Sequence, residues 1–94
     1  MEEIVRKRKP DTVRVADQDK VKPVSINDCI DFTIVNAGNE TIFFGFNREH
    51  EPDIPLEPGE SSNWALYRPC EVWDGEVYIK FEKNGSVALV LKTV

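Results

Sequence analysis

From residue 25 onward apolar and polar positions alternate with a period of two, the pattern of strands that bury one face. Ile30, Phe32 and Ile34 point one way, while Asp31 and Thr33 point the other. Asn36-Ala37-Gly38-Asn39 reads as a turn, with Gly and Asn available for positive φ. Residues 41–46 continue as a second strand, with Ile42, Phe44 and Phe46 on one face and Phe43 on the other. Every local signal joins these two strands into a hairpin.

Residues 47–56 carry two prolines and a run of charges, which forbid a regular strand or helix and predict a loop. Pro58-Gly59 forms a tight turn of type II, with Gly59 where φ must be positive. Residues 61–67 give a third strand containing Trp64 and Leu66, broken by Arg68-Pro69. Glu71-Val72-Trp73 is a short strand ending at Asp74-Gly75, a hairpin signal. Residues 76–82 alternate cleanly with Val77, Ile79 and Phe81 inward. Residues 86–92 close the chain with Val87, Leu89 and Leu91 inward. Asn84-Gly85, between these last two runs, is the strongest hairpin signal in the sequence. Ala88 and Val90 make the last strand apolar on both faces, which suggests a central strand or an outer face covered by a neighbour.

No stretch of ten residues carries a helical apolar stripe. The fold class expected is all-β: a small antiparallel β-sandwich or barrel of about six or seven short strands with an extended N-terminal arm. The 94 residues make one domain with a modest core. The division expected is an arm over 1–22 and a sandwich over 23–94.

The arm holds few large apolar residues, and Arg6-Lys7-Arg8-Lys9-Pro10 is kept extended by four repelling cations and a proline. Thr12-Val13-Arg14-Val15 alternates briefly, enough to add as a strand to a sheet edge. Charge is divided unevenly. Residues 1–22 carry seven basic and five acidic side chains, whereas residues 23–94 carry five and twelve, so the net charge of −5 splits into +2 and −7. A basic arm on an acidic body suits docking one copy onto another or onto another acidic surface. The arm's apolar content cannot offset the entropy of fixing it, so it is expected to order only in an assembly.

The candidate chemistry is thin. His50 is the single histidine and sits in an acidic, proline-flanked loop, so the usual zinc patterns are excluded. A relay of His50 and Asp53 with Ser61 or Ser62 can be drawn, but a solvated loop histidine is the better reading. Glu49, Glu51 and Asp53 are oxygen ligands of the type calcium favours, yet no glycine folds their loop around an ion. A solvated loop, or one paired to a neighbour's basic arm, is expected instead. Cys29 and Cys70 are read as free thiols packed as small apolar groups in a reducing cytosol. Neither phosphate-binding glycine motif is present. No apolar run nears the roughly 20 residues of a membrane span, and no secretory leader is recognised. Nucleic acid is not expected as a partner except through Arg6 to Lys9 on phosphate. The reading is of a non-enzyme without cofactor, metal or small-molecule substrate. Its candidate partner-binding residues are Arg6, Lys7, Arg8, Lys9 and Arg14 of the arm, with Phe43, Tyr67 and Trp73 of the body. Its structural turn residues are Pro55, Pro58, Gly59, Asn84 and Gly85.

In order along the chain stand Val35-Asn36, Ile42-Phe43-Phe44-Gly45, the turn Pro55-Leu56-Glu57-Pro58-Gly59-Glu60-Ser61, and Val77-Tyr78-Ile79. This succession resembles a class of small β-sandwich structural proteins of tailed bacteriophage particles, over about residues 32–94. The charged loop 47–53 and the basic arm depart from that pattern and leave the place in the particle open. The resemblance implies a virion protein made in the bacterial host cytoplasm, with other virion proteins or itself as partners. Its first form is an accessory or decoration protein on the major capsid protein, attached through the arm and sheet edges. A head–tail connector, ring or tail adaptor is the alternative. Apart from the resemblance, a free-standing carbohydrate- or peptide-binding module using Trp73, Tyr67 and the 47–53 loop is the further alternative.

Overall fold

The computed structural model describes residues 10–15, 20–66, 71–82 and 86–93. Strands follow in the order β1 (Pro10–Val15), β2 (Lys20–Ser25), β3 (Asp31–Asn36), β4 (Ile42–Gly45), β5 (Ile54–Leu56), β6 (Ser61–Ala65), β7 (Glu76–Phe81) and β8 (Ala88–Thr93). They form two four-stranded antiparallel sheets. Sheet I has the order β1-β8-β3-β6 and sheet II the order β2-β7-β4-β5. The all-β sandwich class therefore holds, with eight strands among the described residues rather than six or seven.

Alternation explains the layers. Phe32, Ile34, Ala88 and Val90 of sheet I face Val24, Ile42, Phe44, Leu56, Val77, Ile79 and Phe81 of sheet II. All of these are buried, and stacking the two inner faces makes the core. Val13, Val15, Trp64 and Trp73 close its margins.

Three expectations are corrected. Residues 10–15 and 20–22 are not an extended arm. β1 pairs with β8 from Pro10↔Thr93 to Val15↔Ala88, and β2 pairs with β7 from Lys20↔Phe81 to Ser25↔Glu76. The short alternation in Thr12-Val13-Arg14-Val15 suffices because Val13 and Val15 find core to cover. Residues 1–9 lie outside the described residues.

The three expected hairpins are absent as well. β3 lies in sheet I and β4 in sheet II, and β7 and β8 are likewise in different sheets. Every connection except β4 to β5 switches sheet. A turn signal says only that the chain reverses. Here both flanking strands carry apolar inner faces, and stacking those faces across the sandwich buries more than pairing the strands side by side. Glu71-Val72-Trp73 is irregular rather than a strand. Its backbone is satisfied by the turn at residues 26–29, through Trp73 N–H to Cys29 O at 2.7 Å and Asp28 N–H to Trp73 O at 2.9 Å.

Third, β8 is turned over. Ala88 and Val90 face the core, while Leu89 and Leu91 point outward. The strand is central, as its two-sided apolar pattern suggested, lying between β1 and β3. Small Ala88 fits opposite Asn36 in the crowded end of the core.

The predicted Pro58-Gly59 turn is found. Gly59 has φ +83°, and Glu60 N–H reaches Glu57 O at 2.9 Å. Asn36 holds this end together. Its buried side chain donates to Glu40 O and to Leu56 O, each at 2.8 Å, and accepts from Gly38 N–H at 3.1 Å. One amide thus fastens the β3–β4 connection of one sheet to β5 of the other.

Candidate interaction surfaces

The outer face of sheet I follows from the parity of its strands. With Ala88, Val90, Phe32 and Ile34 inward, the registers set Thr12, Leu91, Thr33 and Asn63 in one outward row. Arg14, Leu89, Val35 and Ser61 form the next. Leu91 is 42% exposed, and Leu89, Val87 and Val35 are half-buried beside it. The result is an aliphatic strip down the middle of the sheet. Its rim is polar: the Asn63 amide donates to Asp31 Oδ1 and Thr33 Oγ1, both at 2.7 Å. An apolar centre inside a polar rim is the anatomy of a protein interface.

Beside the strip runs β6, Ser61-Ser62-Asn63-Trp64-Ala65, an edge strand without proline or charge. Among the described strands none pairs with its far side. An unblunted edge of this kind accepts an added strand.

Sheet II is built differently. Loop 47–53 folds over one end of its outer face. Buried Pro52 lies against Gly45, and Glu51 accepts a hydrogen bond from the Lys80 ammonium, which also pairs with Glu82 at 3.4 Å. The Glu51 hydrogen bond raises the Lys80 pKa above its ordinary value of 10.5, assisted by Glu82 and opposed by partial desolvation. At the uncovered end a groove of about 430 Å³ is lined by Glu40, Thr41, Phe43, Pro55, Glu57 and Glu82.

The candidate residues do not form one site. Arg14 is exposed on the outer face of sheet I, and Phe43 is half-buried on the outer face of sheet II. Trp73 packs edge-on against Phe32 at 5.8 Å on the margin of the core, its buried Nε1 without an acceptor among the described residues. Pro55, expected to be a loop and turn residue, stands inside β5 opposite Phe43. An edge strand tolerates it there, since no ladder donor is needed on the solvent side. Arg6 to Lys9, Tyr67, Cys70, Asn84 and Gly85 lie outside the described residues.

The other chemistry stays dispersed. His50 and Asp53 are exposed on the loop by sheet II, whereas Ser61 and Ser62 belong to β6 of sheet I, where Ser62 Oγ accepts from Trp64 Nε1 at 3.0 Å. Of the acids Glu49, Glu51 and Asp53, Glu51 is engaged by the chain's own Lys80 rather than by a neighbour. Among the described residues no three His, Cys, Asp or Glu side chains are grouped to hold a metal. Cys29 is fully buried and free. Desolvation raises its pKa, against the opposing charge of Lys92.

Leu89, Leu91, Val35 and the β6 edge were not among the sequence candidates. The signal was present in the two-sided apolar pattern of β8; inverting its inward set hid it. Comparison of the chain with protein-family models, curated proteins and solved structures found no match.

Proposed function

We propose that this chain is a non-enzymatic structural protein that joins a larger assembly through sheet I. The aliphatic strip centred on exposed Leu91, beside the uncharged β6 edge, carries the reading. A small domain gains stability by covering such a face, and a partner strand along β6 would satisfy its free backbone groups. The assembly proposed is a tailed-phage particle, on the resemblance of residues 32–94, and the role is that of an accessory protein on the major capsid protein.

Mass spectrometry of purified particles tests this. The chain is expected in fixed stoichiometry to the capsid subunits. A copy number matching a single ring would move it to the connector, and absence from particles would overturn the phage assignment.

A further inference from the structure

We propose that the groove over Phe43 receives the basic segment Arg6-Lys7-Arg8-Lys9 of a second copy, joining copies head to tail. This goes beyond the assembly reading by naming a contact between identical chains.

The groove floor is Phe43 and Pro55, paired in register on β4 and β5. Three carboxylates, Glu40, Glu57 and Glu82, stand around it. Thr41 Oγ1 donates to Glu57 Oε2 at 2.7 Å, which orients that carboxylate. Lys80 is the cation beside Phe43 in register, and Glu51 and Glu82 already engage it. An aromatic floor inside a carboxylate rim suits a guanidinium, which stacks on the ring and bridges to the acids through its planar fork. Arg6 to Lys9 is the densest cationic run of the chain, on a body of net charge −7 over residues 23–94.

Chain length decides which copy supplies it. β1 starts at Pro10, opposite Thr93, which in turn lies opposite Asp31, at the end of the sandwich where β3 begins. The groove lies at the other end, beside the first residues of β4, on the far face of sheet II. Arg6 stands four residues before Pro10, at most about 14 Å of chain. The six-residue strands alone span about 17–20 Å, and the stacked sheets add about 10 Å. A copy's own segment falls short of its own groove, so the segment must come from a neighbour. Donor and receptor are different patches, which makes the contact heterologous: repeated, it closes a ring or extends a filament.

The test is sedimentation of the purified full chain, without other particle proteins, so its failure is separable from failure of the phage assignment. At low salt the chain is expected to form concentration-dependent species larger than dimers, and at high salt monomers. Arg6→Gln with Arg8→Gln, and separately Glu57→Gln with Glu82→Gln, each weaken association by at least about tenfold. All four substitutions keep hydrogen-bonding capacity, and circular dichroism checks the fold. Mixing the two double variants is expected to give one-to-one pairs and nothing longer, because one retains only the groove and the other only the segment. A monomeric wild type, association unchanged in either double variant, or a mixture that stays monomeric would overturn the proposal.

Discussion

Sheet II ends on one side at β2, which carries Pro23, and on the other at β5, which carries Pro55. Sheet I ends on one side at β1, which carries Pro10, Asp11 and Arg14, and on the other at β6, five residues with neither proline nor charge. The outer faces differ in the same sense. Loop 47–53 and the Glu51–Lys80–Glu82 cluster occupy much of sheet II, whereas Leu89, Leu91, Val35 and Val87 lie along sheet I with Arg14 on the β1 side and polar residues on the β6 side. Proline removes a backbone donor, so both edges of sheet II are protected against strand addition. The β6 edge of sheet I has no such protection. On the proposed reading, the contrast offers the β6 side of sheet I to other proteins of the assembly and the acidic groove of sheet II to a second copy.

The contrast depends on β1 and β2 completing the two sheets, and removing them breaks it most severely. Deleting residues 1–22 strips β1 from β8, uncovers the core beside Val13 and Val15, and shortens β2. That loss is expected to exceed the roughly 5–10 kcal/mol holding a small domain together, so no cooperative thermal transition should remain. Deleting only residues 1–9 is expected to shift Tm by no more than a few degrees. A folded, cooperative product of the longer deletion would mean that the first strands are dispensable.

A milder change loosens the cover of sheet II. In Gly45→Ala the new methyl would lie 3.3 Å from Pro52 Cα, so the loop must give by a few tenths of an ångström. A cost of about 1 kcal/mol is expected, with faster hydrogen exchange confined to residues 46–53. Uniform exchange changes across both sheets would show that the loop is not a separate cover.

The smallest effect is electrostatic. Lys80 titrates above 10.5 because Glu51 holds its charged form. A raised lysine pKa stabilises the fold fully below the unfolded value and loses that contribution as the pH climbs through the folded one. Glu51→Gln should therefore lower Tm slightly at neutral pH, and the gap from wild type should close above about pH 10.5. A gap that persists at higher pH would assign the effect to packing of the loop.

Much of the core was legible in the chain. Phe32, Ile34, Val77, Ile79 and Phe81 are buried as their alternation requires, and Gly59 takes the backbone its turn needs. Connectivity was not legible, because Asn84-Gly85 reports a reversal in either geometry and only the facing apolar sets decide between pairing and stacking. The facing of β8 failed for a related reason: Ala88 and Val90 are smaller than Leu89 and Leu91, so hydrophobicity alone favours the wrong parity. Room opposite Asn36 and Ile34 selects the smaller set. Phe43 was legible as an outward aromatic, but its carboxylate rim comes from separate segments that only the fold assembles.

Competition for incorporation tests the central claim, that sheet I is the surface by which this protein joins its assembly. Wild type and Leu91→Lys are supplied together during particle formation, and their ratio in purified particles is read by mass spectrometry. Leu91 is already partly solvated, so the variant is expected to fold with nearly unchanged Tm, yet to be under-represented by at least about tenfold because its ammonium would be buried unpaired against the partner. Equal incorporation of a correctly folded variant would contradict the account.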